Sequence, residues 1–309
     1  MTESSRRRTV RGSFRSWLFS GAWVMCALPV AWSPRADAPK EAPPVATAHL
    51  PFVVRVRSDV ATVCTGTLLA PNLVLTARHC IDVVPHDEPC AKSRFSTLTA
   101  PERVVVSICA DGDGDSACAH TFSSASILRP AGARANDLCG SDVALVVLSL
   151  NIPSTVARAA EPDLSPDASL GTSYSVVGYG ARDAFGSGVG ELRRKDGLRH
   201  YCSAVPRAGE VACSSAYDMI GLTPTIAAAE VVVEYAVCPG GSGGGLFESE
   251  SIADVTPRLV GIASRAIGSD ACMLSIFSRS AAHHGFLTEG AREAAARGGY
   301  EAPNWAGSE

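Results

Sequence analysis

After residue 48 the hydrophobic residues of this 309-residue chain fall into runs of only two to seven, each closed by turn-forming residues. Phe52–Arg57, Val63–Leu69, Leu73–Thr76, Arg103–Ile108 and Val143–Leu148 make a first set. Tyr174–Val177, Val231–Glu234, Leu246–Phe247, Leu259–Ala263 and Leu274–Phe277 make a second. Runs this short suit strands joined by turns and do not suit a helical bundle. The 28 glycines and 19 prolines, with aromatic residues at only 6%, point the same way. A proline-punctuated connector, Pro153 to Pro166, separates the two sets. Ala281 to Arg297 is alanine-rich and reads as a closing helix, weakened by Gly285 and Gly290. No internal repeat is present, and the length suffices for two packed cores.

The N-terminus reads as an export signal. Arg6, Arg7, Arg8, Arg11 and Arg15 precede an apolar run from Trp17 to Trp32, and Ala36-Asp37-Ala38 supplies an A-x-A ending. The run of about 16 residues is shorter than the roughly 20 a spanning helix needs, so a retained anchor is the lesser reading. Removing residues 1–38 takes away six arginines and two acidic residues and lowers the formal charge from −4 to −8. No basic block remains, which excludes nucleic acid as an expected partner. Of 11 cysteines, Cys26 lies in the signal, leaving an even ten in an exported chain with no C-x-x-C pair. That argues for disulfides, not for zinc or redox chemistry. The expected location is secreted or periplasmic, with no membrane contact after signal removal.

Three segments carry chemistry: Leu75-Thr76-Ala77-Arg78-His79-Cys80, Ser141-Asp142-Val143-Ala144-Leu145, and Cys238-Pro239-Gly240-Gly241-Ser242-Gly243-Gly244-Gly245-Leu246. Alone, each has a plainer explanation: a core histidine, a surface turn, a flexible glycine loop. Together and in this order they resemble the catalytic segments of the chymotrypsin/trypsin family of serine proteases. Val176-Val177-Gly178-Tyr179-Gly180, Leu259-Val260-Gly261-Ile262-Ala263-Ser264 and Ile276-Phe277-Ser278-Arg279 extend the resemblance, which covers roughly Pro51 to Leu287.

The resemblance implies an all-β fold of two antiparallel six-stranded β-barrels with a C-terminal helix. The expected organisation is a signal over 1–38, a leader over 39–48, barrels over 49–152 and 167–280, a connector over 153–166, and a helix with tail over 281–309. It implies Ser242 as nucleophile, His79 as base and Asp142 as the buried acid that orients the base. Gly240 and Ser242 would offer the oxyanion hole, and Ser264 would support Asp142. Cys64 with Cys80, and Cys238 with Cys272, are implied disulfides. Cys202 and Cys213 are expected to close a local loop, and Cys90, Cys109, Cys118 and Cys139 leave three connectivities open. No cofactor or metal is implied. The partner would be a protein or peptide substrate, met by a monomer.

The chain departs from the family pattern G-D-S-G-G-P at two places, with Gly241 for the aspartate and Gly245 for the proline. It also lacks the I-V-G-G segment whose freed amine pairs with that aspartate. Both halves of the activating ion pair are missing together, which suits an enzyme whose oxyanion loop is held by other contacts; the rival reading is a collapsed oxyanion loop, loosened by the extra glycine. Ala236 stands where trypsin-like members carry an aspartate, so a substrate lysine or arginine would lack a counter-charge. Ala266 and Ser275 occupy pocket-wall positions often taken by glycine. The expected preference is for small to medium uncharged residues before the scissile bond. Arg265, in place of a tryptophan, puts a cation near the peptide-binding strand.

Remaining candidates are weaker. His49, His86, His120 and His200 lie in polar surroundings, and His283-His284 diverge on a helix. Asp111, Asp113 and Asp115 alternate as calcium-loop ligands do, but Ser116 and Phe122 stand where glycine and glutamate are needed, so a solvated acidic loop is favoured. Two rivals to an exported serine endopeptidase remain: a catalytically silent binding protein of the same fold, and an esterase using the same residues.

Overall fold

The computed structural model describes residues 50–85, 90, 92–109, 118–165, 173–183, 185–206, 210–214, 225–234, 237–267, 272 and 274–307. The signal, the leader, His49, His86, Asp111, Asp113, Asp115 and Ala236 lie outside the described residues. Six strands form the first half: β1 (Val53–Arg57), β2 (Cys64–Ala70), β3 (Leu73–Thr76), β4 (Val105–Cys109), β5 (Cys118–Leu128) and β6 (Ala144–Leu148). They close into a barrel in the order β1-β2-β3-β6-β5-β4, antiparallel throughout. Every residue of β6 is buried. Its sequence, Ala-Leu-Val-Val-Leu, is apolar without alternation because both faces are covered.

What covers one side is the C-terminal helix, His284–Gly298, preceded by a 3₁₀ turn over Ser280–His283. Leu287, Ala291, Ala294 and Ala295 form its buried stripe. A Cβ at Gly290 would come within 2.3 Å of Leu145 Cδ1, so this glycine is a packing requirement and not merely a helix weakener. The buried Asn72 amide donates to Ala294 O at 3.1 Å and its carbonyl oxygen accepts from Tyr300 Oη at 2.6 Å, fastening the helix to the β2–β3 turn.

The second half holds β7 (Glu161–Pro162), β8 (Tyr174–Gly178), β9 (Arg193–Leu198), β10 (His200–Ser203), β11 (Glu230–Glu234), β12 (Gly245–Glu248), β13 (Arg258–Ile267) and β14 (Leu274–Arg279). Their order is β10-β11-β14-β13-β12-β8-β9, with β7 added parallel to β13. Where a second six-stranded barrel is expected, these strands form a half-barrel sheet. At one end of this order β9 pairs with β8, and at the other β10 pairs with β11. The two halves share a core: Phe52 of the first meets Phe247 of the second with ring centroids 4.9 Å apart, beside buried Leu259 and Ile262.

A buried ionic cluster stands beside β3. Asp82, fully buried, accepts from Arg78 Nε at 2.8 Å, from Arg129 Nε and Nη2 at 2.7 Å each, and from the Thr99 amide at 3.0 Å. Arg78 also donates to Ala135 O at 2.6 Å and lies over the Phe95 ring at 4.3 Å. Burial works against the Asp82 carboxylate, but the two guanidiniums and the Thr99 amide hold its pKa below the ordinary value. The stability it supplies is therefore present above about pH 4 and lost as pH falls through its folded pKa. Asp82→Asn leaves the buried Arg78 and half-buried Arg129 guanidiniums facing a neutral acceptor and should cost about 3 kcal/mol in urea unfolding at pH 7.

Candidate active site

His79 sits in the 3₁₀ turn Arg78–Cys80 that follows β3. Two contacts fix it to Asp142: its backbone N–H donates to Oδ1 at 2.9 Å, and its Nδ1 meets Oδ2 at 2.8 Å. Asp142 has no solvent exposure, whereas the His79 side chain keeps 17%. Ser264 Oγ donates to Asp142 Oδ2 at 2.5 Å. Local structure explains that aim: β13 pairs Ala263 with Phe277 and Arg265 with Ile276, so Ser264 is the extra residue of a bulge. Bulges re-aim side chains in this way.

Burial alone lowers the imidazole pKa, but the charge and hydrogen bond of Asp142 overcome it and hold it above its ordinary value. Burial likewise raises Asp142, and the His79 charge, with hydrogen bonds from His79 and Ser264, brings it below the usual carboxylate range.

Ser242 comes from the glycine-rich loop before β12. Its carbonyl accepts from the Thr65 amide of β2 at 2.8 Å and lies 3.7 Å from Cys80 Sγ. Gly243, at φ +77°, presses on the same strand pair, since a Cβ there would meet Thr65 O at 2.1 Å and Ala77 N at 3.0 Å. Thr65 completes the seam by accepting the Tyr179 amide at its Oγ1, 2.9 Å away. The serine is thus held against the strand ends that carry the histidine. No hydrogen bond joins the Ser242 hydroxyl to the imidazole among the described residues.

The loop amides divide into two groups. Gly241, Gly243 and Gly244 donate to Cys238 O, Ala263 O and Gly241 O at 3.0, 2.8 and 2.9 Å. Gly240 and Ser242 donate to no described residue, so both amides stay open to an incoming anion.

Beside Ser242 lies a cavity of about 160 Å³ lined by Val237, Cys238, Pro239, Ala263, Ser264, Arg265 and Ala266. Ser275 is not part of that lining. It stands behind it, fully buried, accepting the Val237 amide at 3.0 Å and so fixing that wall. Arg265 is not the free cation expected near the peptide strand. Its Nη1 and Nη2 donate to Glu230 Oε1 and Oε2 at 2.6 and 2.8 Å, and Nη2 also reaches Thr225 O at 2.8 Å.

Glu230, fully buried, also accepts the Gly140 amide at 2.9 Å and the Ala227 amide at 2.7 Å. The pair therefore braces both the segment before Asp142 and the residue after Ser264. Nothing in Glu-Val-Val-Val-Glu distinguishes Glu230 from a surface strand end, so the sequence alone does not reveal it.

Disulfides join Cys64 to Cys80, Cys238 to Cys272 and Cys202 to Cys213, and the open set pairs as Cys90–Cys139 and Cys109–Cys118. His120 is exposed on β5. His200 Nε2 meets Ser203 Oγ at 3.0 Å. His283 has a buried Nε2 without a hydrogen-bond partner, and burial pushes its pKa down to about 4 against the pull of Asp142.

A profile of the Trypsin family matches residues 41–281. The cercarial protease of Schistosoma mansoni is 29% identical over 154 residues, which is 49% of this chain and 54% of that one. The chain therefore spans about half the length of this curated relative. Among solved structures, a scabies mite inactivated protease paralogue superposes with TM-score 0.59 at 18% identity, covering 81% of this chain and 96% of its own. Human heparin binding protein gives 0.53 at 18%, covering 81% and 95%. Both establish a shared fold.

Arg265 contributes a lowering influence on the His79 imidazole. Arg265→Gln should therefore raise the His79 pKa, while Glu230→Gln, which leaves the guanidinium unbalanced, should lower it. Titration of the imidazole resonances by NMR reads both directions.

Proposed function

The chain belongs to the trypsin family, and from that premise we propose that it is an exported serine endopeptidase working through an acyl-enzyme. The observation that carries this reading is the buried Asp142 carboxylate holding the His79 imidazole at 2.8 Å, with two unclaimed amides beside Ser242. Ser242 Oγ attacks the carbonyl carbon of the scissile bond while His79 takes its proton. Asp142 keeps that proton-accepting nitrogen correctly oriented and stabilises the imidazolium. The carbonyl oxygen becomes an oxyanion facing the Gly240 and Ser242 N–H groups. Collapse breaks the C–N bond as His79 passes its proton to the leaving amine. Water, deprotonated by His79, then attacks the acyl ester and releases Ser242.

The substrate is a protein or peptide cleaved after small to medium uncharged residues. Support comes from the cavity, whose described lining is mainly apolar and contains no carboxylate. A lysine or arginine buried there would be unpaired at a cost of several kcal/mol. Export fits five disulfides, which form in oxidising compartments. No helix of the described residues is long and apolar enough to cross a membrane. We take residues 1–38 as the removed signal, 39–48 as a leader, and the protein as a monomer of two β-domains acting outside the cell or in the periplasm.

The second reading, a silent protease-fold binding protein, draws on Gly241 and on a structural neighbour that is itself an inactivated paralogue. Fluorophosphonate labelling separates the two. Wild-type protein should be labelled at Ser242 and Ser242→Ala not at all. His79→Ala and Asp142→Ala should lower kcat by about 10⁶-fold and 10⁴-fold. Folded wild-type protein that stays unlabelled supports the binding protein instead. In a peptide library, alanine, valine and similar residues should dominate before the cut, and a profile led by arginine or lysine would overturn the specificity.

A further inference from the structure

Position 241, where the family keeps the aspartate that orders the loop, has no space for one here. A Cβ added to Gly241 would lie 2.6 Å from Val237 Cγ1 and 3.0 Å from Cys238 O. The loop is nevertheless fully built. Two consecutive turns share Gly241, closed by Gly241 N–H to Cys238 O at 3.0 Å and Gly244 N–H to Gly241 O at 2.9 Å. Their third residues, Gly240 and Gly243, have φ +83° and +77°.

Pro239 occupies the second position of the first turn. A fixed φ near −65° followed by a left-handed glycine is the combination a type II turn requires. The Pro-Gly pair therefore biases the chain toward this turn before any tertiary contact forms.

One hydrogen bond then sets the direction of the critical amide. Ala181 N–H donates to Pro239 O at 2.8 Å. In a planar trans peptide the carbonyl and the following N–H point opposite ways. Anchoring Pro239 O on Ala181 thus turns Gly240 N–H away, to the side where it meets no described acceptor. Close packing keeps glycine at both positions beside this peptide. Val189 Cγ2 would lie 2.4 Å from a Cβ on Gly240, and a Cβ on Gly180 would lie 3.0 Å from Gly241 Cα and N. Neighbouring described residues are tied down as well, with Asp183 Oδ1 accepting the Phe185 and Ser187 amides at 2.9 and 3.1 Å and Gly190 N–H bonded to Tyr179 O at 2.9 Å.

We infer that the Pro239–Ala181 clamp replaces the missing activating ion pair. The oxyanion amide of Gly240 is set by folding alone, and the enzyme needs no newly freed N-terminal amine. Pro239 is a positioning residue in this scheme, acting through the Gly240 amide, and the inference rests on the endopeptidase reading above.

The test compares the exported chain carrying an uncleaved N-terminal tag with the same chain after the tag and leader are removed. Active sites are titrated with a fluorophosphonate, and peptide hydrolysis is expressed per titrated site. Equal labelling and equal kcat, within about twofold, are expected. Labelling only after a cut near residue 48 overturns the inference and leaves the protease reading standing. No labelling of either form removes both. Pro239→Ala should lower kcat per titrated site by about tenfold with KM changed less than about twofold. It should also weaken a peptide-aldehyde transition-state analogue in parallel, with the NMR titration of His79 unmoved. Unchanged kcat per titrated site with only a lower melting temperature would reduce Pro239 to a structural residue and overturn its role. Gly241→Asp, as a second variant, should lower kcat and not restore a family-like site.

Discussion

A carboxylate sealed from water, Asp142, is the constraint on which the site depends. Its two oxygens receive the His79 amide, the His79 ring nitrogen and the Ser264 hydroxyl. Those partners come from opposite halves of the protein, so one ionised group joins the β3 end of the first barrel to the bulge in β13 of the second. Burying a charge is costly unless it is paired and hydrogen-bonded. Asp142 meets that requirement only while both halves are correctly docked. The same condition applies to Glu230, whose partners lie on the segment before Asp142 and on the residue after Ser264. Site geometry and domain docking are thus one equilibrium.

The loop bearing Ser242 is fixed by a different kind of contact. Backbone meets backbone at Thr65 and Ser242, at Gly243 and Ala263, and at Gly180 and Gly241, where no side chain could intrude. Glycine at 241 therefore follows from close packing, and the missing family aspartate is part of a different solution to loop order. Holding amides in place before substrate arrives removes reorganisation from the chemical step.

Much of this was legible in the sequence where patterns are local. Leu73–Thr76 and the β6 run were readable because their apolar residues are continuous and lie between turn signals. The three catalytic-type segments were readable because few sequences place that histidine, aspartate and serine with such neighbours in order. The strands not legible in the sequence are those without apolar alternation. β5, Cys-Ala-His-Thr-Phe-Ser-Ser-Ala-Ser-Ile-Leu, is largely half-buried or exposed, and β9, Arg-Arg-Lys-Asp-Gly-Leu, is mostly charged. Their pairing is a tertiary effect. The roles of Arg78, Glu230 and Arg265 are not legible in the sequence for a related reason. A charged residue reads as solvated until distant chain supplies its partner, and those partners lie 35 to 58 positions away for Arg265 with Glu230 and Arg78 with Asn136.

The central claim is that the Asp142-held imidazole activates Ser242. Its most direct test is the pH dependence of single-turnover acylation by an activated ester, set beside the His79 titration measured by NMR on the same protein. Acylation should rise with pH along the deprotonation of His79, with a midpoint above the ordinary imidazole value of about 6.5. Acylation that stays flat across that titration would contradict the account.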